Sequence, residues 1–221
     1  MGLVIPPALL TTRAKVWMAA VFLVVVPVFF QAPLVRSLPW LSLTMTGGWL
    51  LAGISLSSRP ATRLWGDLLT GFSWTWLAGS LYWGWLRAEP LWHLPIEALG
   101  FPIVIGLLAQ GRSRVGSYFF LGSLFGTAVT DLYIYWNNLL PMWRQVMIAD
   151  PDWVPVILRQ TAASLQNSVS LSQGVLIALG LLTVGILPLR SKQLCWWAFS
   201  GAVLSTLIVD LLFLGSAVYF R

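Results

Sequence analysis

Long apolar runs separated by short polar connections make up most of this chain. Several runs reach the roughly 20 residues that an α-helix needs to cross a bilayer. None has the alternating period of a transmembrane β-strand, so the pattern predicts an all-α, polytopic transmembrane helical bundle in which residues 1–221 form a single domain. We predict seven spans, over residues 16–35, 40–57, 65–86, 90–110, 115–138, 166–187 and 194–219.

Two connections decide how these spans are counted and arranged. Only residues 37–39 separate the first two spans, so these spans form either two helices or one broken or re-entrant unit, and the second alternative gives six spans. The longest connection, residues 139–165, contains prolines and tryptophans. It is predicted to be an extracytoplasmic interfacial loop, followed by a helix that extends beyond the membrane.

The basic residues predict the orientation of the bundle. Counted by connection, one side of the membrane carries Arg13, Lys15, Arg59, Arg63, Arg112, Arg114, Arg190 and Lys192. The other side carries Arg36, Arg87, Arg144, Arg159 and Arg221. Since cytoplasmic connections are enriched in Lys and Arg, eight against five places the N-terminus in the cytoplasm and the C-terminus outside.

Composition narrows the classes of function. The chain is 58% hydrophobic and only 9% charged, whereas about a quarter of the residues in soluble domains are charged. Its net charge of +6 comes from basic residues scattered in ones and twos, which indicates membrane topology and a lipid bilayer as partner, with no nucleic acid. The single cysteine, Cys195, excludes an intrachain disulfide and any multi-cysteine metal site.

A few ionisable residues lie inside the predicted spans. Each charge there costs roughly 2.5 to 3.5 kcal/mol at the membrane centre, so it needs a partner or a watery site. His93 and Glu97 are one helical turn apart and face the same way. At 1.5 Å per residue, Glu97, Asp131 and Asp210 all lie roughly 10 to 14 Å below the outer surface. The three carboxyl groups are therefore expected at one level.

Polar residues accompany these carboxyl groups at helical spacing. Thr127 precedes Asp131 by one turn, Thr206 precedes Asp210 in the same way, and Gln173 belongs to a polar face of the sixth span. The two Thr-x-x-x-Asp stretches are too short to establish an internal duplication. The predicted substrate- or ion-binding residues are His93, Glu97, Thr127, Asp131, Gln173, Thr206 and Asp210.

The same groups also have a purely structural interpretation. Small polar residues hold membrane helices together, and the Gly122-x-x-x-Gly126 pair lets a neighbouring helix approach closely. Arg63 and Asp67, one turn apart, are predicted to form a local ion pair. Most of the 14 tryptophans suit anchoring at the membrane interface, which leaves pigment or quinone stacking as a minor alternative.

Familiar enzyme motifs are missing from the sequence. It has no His-Glu-x-x-His, no Gly-x-Ser-x-Gly and no Walker loop. With one histidine and one cysteine, a transition-metal centre or a Cys/His pair is disfavoured. We therefore predict no catalytic residues, no metal and no cofactor, although an acid/base role for His93 and Glu97 stays open.

Four stretches resemble a known family. LWHLPIEALGFP, YFFLGSLFGTAVTDLY, PMWRQVM and WAFSGAVLSTLIVDLLF are similar to those of multi-pass membrane proteins of unknown function found in cyanobacteria. The resemblance covers most of the chain and implies location in a cyanobacterial plasma or thylakoid membrane. It implies no activity and assigns no functional residue.

Two hypotheses of function follow from these observations. The first is a small carrier or channel component that takes a cation, a proton or a small solute through an outward-facing polar site, since costly polar groups share one depth. The second is a non-catalytic accessory or assembly subunit of a photosynthetic or respiratory membrane complex, in which the same residues lock helices and other membrane-protein subunits are partners.

Overall fold

Helices joined by short turns form the whole described structure, a computed structural model of residues 7–219. In chain order the α-helices are α1 (Pro7–Ser37), α2 (Pro39–Ser57), α3 (Arg63–Leu81), α4 (His93–Glu97), α5 (Phe101–Ala109), α6 (Arg114–Trp136), α7 (Leu140–Ile148), α8 (Val154–Ser164), α9 (Ser168–Ile186) and α10 (Leu194–Tyr219). A π-helical turn, Tyr82–Leu86, extends α3. Short 3₁₀ turns flank α4 at Pro90–Trp92 and Ala98–Gly100, and another, Leu187–Arg190, follows α9. The predicted all-α class is confirmed. Arg221, counted above among the outer basic residues, lies outside the described range.

Within that range, four helical segments are long and apolar enough to cross a membrane. They are Thr11–Ser37, Pro90–Ala109, Ser168–Arg190 and Leu194–Leu212. Helices α2, α3 and α6 coincide with the other three predicted spans and are rich in serine, threonine and glycine. Many of these small residues on α3 and α6 are buried against neighbouring helices, which explains how they are accommodated.

Four parallel helices, α1, α3, α6 and α10, form the centre of the bundle. Along each packed pair, contacting residues ascend together in the sequence. The pairs are Arg13–Lys192 and Trp17–Ser200 between α1 and α10 with the turn before it, Gly122–Phe199 and Thr130–Asp210 between α6 and α10, and Asp67–Val115 and Gly71–Gly116 between α3 and α6. The N-terminal ends of all four helices therefore lie at one end of the bundle.

The remaining long segments run antiparallel to this core. Their contacts descend along one helix as they ascend along the other. They are Ser57–Gly66 and Ser42–Ser80 between α2 and α3, Gly100–Phe120 and His93–Asp131 between Pro90–Ala109 and α6, and Tyr133–Ser170 and Gly185–Leu204, which pack α9 on α6 and α10. Helix direction thus alternates along the chain.

Small residues let the core helices approach closely. A side chain at Gly71 would collide with the backbone of Gly116, so no rotamer change could relieve the clash. Around this contact, large apolar side chains alternate with small ones. The buried cluster consists of Val16, Ala20, Leu68, Phe72, Trp76, Val115, Phe119, Cys195, Ala198 and Ala202.

Asp67 caps α6 instead of pairing with Arg63. Its Oδ2 accepts the N–H of Val115 at 3.0 Å, and its Oδ1 accepts the N–H of Gly116 at 2.9 Å and the Ser113 hydroxyl at 2.6 Å. Because α3 and α6 begin at the same end, Asp67 can reach amide groups that lack partners within α6. No Arg63–Asp67 ion pair is formed among residues 7–219, so that prediction is wrong.

The long connection over residues 139–165 is itself mostly helical. It contains α7 and α8, joined by a turn through Pro151. Asn138 adopts a left-handed conformation with φ of 51°, which ends α6 and turns the chain into α7. Helix α7 packs against α8 and against the turn at residues 90–92, and α8 reaches α10.

Candidate functional site

A broken helix carries the candidate site. Glu89 is extended, as residues before proline usually are, and Pro90 then opens the segment. Pro95 and Pro102 follow within the segment, which consists of a 3₁₀ turn, one turn of α4, a second 3₁₀ turn and α5. Each proline lacks an N–H and disturbs regular helical hydrogen bonding. The break positions the side chain of His93 against α6.

His93 and Asp131 form a direct contact at this break. The imidazole Nδ1 lies 2.9 Å from the Asp131 carboxylate Oδ1. Since a carboxylate only accepts, Nδ1–H is the donor and Nε2 is left as the second functional atom of the ring. Only 3% of Asp131 is exposed, and 15% of the His93 side chain. A buried carboxylate that orients a histidine in this way is common in acid/base and ligand-binding sites.

Three aromatic side chains surround the imidazole ring. The ring centroids of Tyr82, Trp143 and Trp83 lie 4.5, 5.8 and 6.1 Å from that of His93. The two indoles stack on each other at 5.9 Å. Tyr82 and Trp83 begin the π-helical turn, a feature often found at functional sites, while Trp143 comes from α7. The rings restrict His93 to one orientation.

Further polar atoms complete the cluster. Glu97, one turn after His93, is close enough to both His93 and Asp131 to interact electrostatically, and its carboxyl group makes no hydrogen bond with the described residues. The second oxygen of Asp131, Oδ2, and the hydroxyl of the fully buried Tyr82 are buried with no hydrogen-bond partner in the described part of the chain. Such groups are rare in protein interiors and often mark places where a ligand or proton is handled.

A fixed rim separates the cluster from the bundle surface. The indole N–H of Trp143 donates to the carbonyl oxygen of Arg87 at 2.8 Å. Next to it, Arg144 forms an ion pair of 2.6 Å with Glu89. A shallow depression lies here, lined by Glu89, Leu91, Trp92, Pro95 and Arg144. Helix α7 is therefore fastened over His93 by two independent contacts.

Asp210, a residue of α10, lies at the same level as Asp131 but contacts another face of α6. Its Oδ2 accepts the Thr130 hydroxyl at 3.1 Å, and Thr130 immediately precedes Asp131. One residue is a rotation of about 100° around a helix, so Asp210 and His93 contact different faces of α6. Thr206, one turn before Asp210, packs against Gly126. These residues form the α6–α10 interface.

Within residues 7–219, Thr127 and Gln173 make no hydrogen bond to His93, Glu97 or Asp131. Both are partly buried, on α6 and α9 respectively. The described contact of α9 with α6 in this region involves Tyr133, whose hydroxyl donates to the carbonyl oxygen of Ser170 at 3.4 Å. Of the seven predicted site residues, the structure thus brings together His93, Glu97 and Asp131, and pairs Thr206 and Asp210 with α6 elsewhere.

Comparison with protein families identifies a relationship for most of the chain. A family model described as a protein of unknown function, DUF3120, matches residues 20–218. The chain belongs to the DUF3120 family. This agrees with the resemblance to a family of unknown function, and it assigns no activity. Comparisons with curated proteins and with solved structures gave no match.

For this DUF3120 member, sequence reasoning missed the aromatic part of the site. The sequence favours interfacial anchoring for Trp83 and Trp143, as for most tryptophans of the chain, and no pattern marks Tyr82. In the sequence, the two tryptophans share only their position, because both lie near the outer ends of predicted segments. No group of three or more His, Cys, Asp or Glu side chains in the described part of the chain could hold a metal ion.

Proposed function

We propose that this protein is a small carrier or channel component that crosses the bilayer seven times, with its N-terminus in the cytoplasm. The alternating helix directions support seven crossings. The common location of the N-terminal ends of α1, α3, α6 and α10 supports the orientation, because their flanking connections hold the eight basic residues predicted to be cytoplasmic. The family resemblance supports a cyanobacterial plasma or thylakoid membrane.

The proposed site exchanges a proton at His93, Asp131 and Glu97. The observation that carries this proposal is the His93–Asp131 contact, which joins two antiparallel segments inside an apolar bundle. Asp131 keeps the Nδ1 proton in place, so that His93 Nε2 takes up or releases the exchangeable proton. Glu97 lies one turn further into the bundle and offers the next acceptor. Binding sites of many transporters lie at broken helices like Pro90–Ala109.

Flux measurements in proteoliposomes test the proposal. The purified protein is reconstituted with an internal pH dye, and proton entry is followed after an outside acid jump, alone and with Na⁺ or K⁺. Wild-type protein should exceed empty liposomes, while Asp131→Asn and His93→Gln should fall to their level. Asp150→Asn is the matched control, because Asp150 is an exposed carboxylate of the α7–α8 turn. Normal flux in both site variants would sink the proposal.

The rival function is a non-catalytic accessory subunit of a larger membrane complex. It is favoured by the open surfaces of α1 and α9. In each of these helical segments, only 17% of an apolar 18-residue stretch is buried inside the bundle. Lipid covers such surfaces in a monomer, and partner helices cover them in a complex. Absence of wild-type flux, together with stoichiometric co-purification of other membrane subunits under mild detergent, would favour this rival.

A further inference from the structure

A cluster of cations lies at the end of the bundle opposite the His93 site. It surrounds the connection between Leu187–Arg190 and α10. Arg13 Nη2 donates to the backbone carbonyl of Lys192 at 3.1 Å, and Arg114 Nη2 donates to Gln193 Oε1 at 3.3 Å. Arg190 and Lys192 are exposed beside them. Helices α1 and α6 thus each bring one positive charge to a short segment that carries two cations of its own.

Arg13 differs from the other members of the cluster because it is buried. Only 5% of this residue is exposed, and its Nε is buried with no hydrogen-bond partner among the residues that the structure describes. Burial of an unpaired guanidinium donor is costly, and one backbone carbonyl does not balance its charge. Among the described residues, no ion pair neutralises any of the four cations. The carboxylate of Asp67 at this end is occupied by the N-terminus of α6.

The connection also lies where the surface of the membrane is expected. It joins two segments that are each long and apolar enough to cross a bilayer, Ser168–Arg190 and Leu194–Leu212. Trp197 donates its indole N–H to the carbonyl of Ser191 at 3.0 Å, and tryptophans concentrate at the level of lipid headgroups. Beside the connection, the apolar side chains of Ile186 and Leu187 are exposed.

We propose that this cluster binds the phosphate of an anionic phospholipid headgroup. Arg13 supplies the buried donor, since guanidinium groups bind phosphate oxygens with strong charge-assisted hydrogen bonds. Arg190 and Lys192 supply further positive charge at the rim. A free phosphate ion would satisfy the same donors. The lipid is favoured because the site lies at headgroup level and its acyl chains would cover the exposed side chains of Ile186 and Leu187.

Native mass spectrometry of the full-length protein in detergent tests this inference. The protein is titrated with phosphatidylglycerol, phosphatidylcholine or inorganic phosphate. Wild type should bind phosphatidylglycerol in preference to the other two. Arg13→Gln should weaken that binding about tenfold or more, since it removes a charged hydrogen-bond donor. Arg13→Lys should keep part of the preference, and Lys15→Gln, which loses the same charge from an exposed position of α1, should keep all of it.

Three results would overturn the inference. One is an unchanged lipid preference in folded Arg13→Gln. Another is an equal loss in Lys15→Gln, which would show that net charge alone matters. The third is inorganic phosphate binding as tightly as the lipid, which would assign the site to a free anion. If Arg13→Gln does not fold, the double variant Arg190→Gln, Lys192→Gln replaces it. That variant should bind phosphatidylglycerol more weakly, and an unchanged affinity in it would contradict the inference.

Discussion

His93 donates its Nδ1 proton to Asp131 across 2.9 Å, and this bond links two segments that run in opposite directions. Neither residue is paired with a neighbour on its own helix. Because the bond is buried and flanked by aromatic rings, it fixes both the position of the imidazole and the nitrogen that carries the proton.

The first prediction concerns the tautomer of His93. It is the single histidine of the chain, so ¹⁵N-histidine labelling gives one pair of ring signals. We expect the Nδ1–H form in wild type and a mixture with the Nε2–H form in Asp131→Leu, which removes the acceptor. The measurement is solid-state ¹⁵N NMR in lipid at a pH where the ring is neutral. Asp150→Leu should leave the spectrum unchanged, and an unaltered Asp131→Leu spectrum would contradict the assigned hydrogen bond.

A second prediction concerns the cover that Trp143 provides. Trp143→Ala removes a ring 5.8 Å from the imidazole and the hydrogen bond to Arg87. We expect His93 to react severalfold faster with diethyl pyrocarbonate, because water and reagent then reach Nε2. Mass spectrometry of the modified peptide gives the rate. The control is Trp153→Ala, which removes an exposed side chain, so its rate of His93 modification should match that of wild type. Equal rates in both variants would show that α7 does not shield the site.

The third prediction concerns the α6–α10 interface. A methyl group at Gly126 would collide with the Thr206 hydroxyl, so Gly126→Ala should destabilise the fold by about 1–3 kcal/mol. Adding Thr206→Ala should recover part of that loss, as expected for two residues in contact. Reversible unfolding in mixed detergent gives the free energies. Gly180→Ala adds a methyl group into open space and should cost nothing. Additive effects of the two substitutions would refute the contact.

Local rules predicted much of the fold and the level of the site. The apolar runs predicted the all-α class, and the break expected at residues 37–39 is found at Leu38, between α1 and α2. The rise per residue placed Asp131 and Asp210 at one level, and both lie at the height of residues 130–131 of α6. Such arguments depend only on helix geometry.

Which faces meet could not be obtained from one helix at a time. A spacing of four residues predicts that Thr127 and Asp131 share one face of α6. The residue that meets Asp210 is Thr130, which continues the ridge of Gly122 and Gly126 by the same spacing of four. The two similar Thr-x-x-x-Asp stretches therefore have different roles. On α10 the stretch faces α6, whereas on α6 its aspartate faces His93.

The parallel core also has a consequence for biogenesis. Helices α1 and α10 close the core side by side, although Trp17 and Ser200 are 183 positions apart. During translation, α1, α3 and α6 enter the membrane before α10 is made. Their small-residue faces, which α10 covers in the folded protein, are therefore uncovered at that stage. Assembly of this protein should therefore be late and abrupt, and a ribosome stalled before residue 194 would leave an intermediate that is prone to mispairing or degradation.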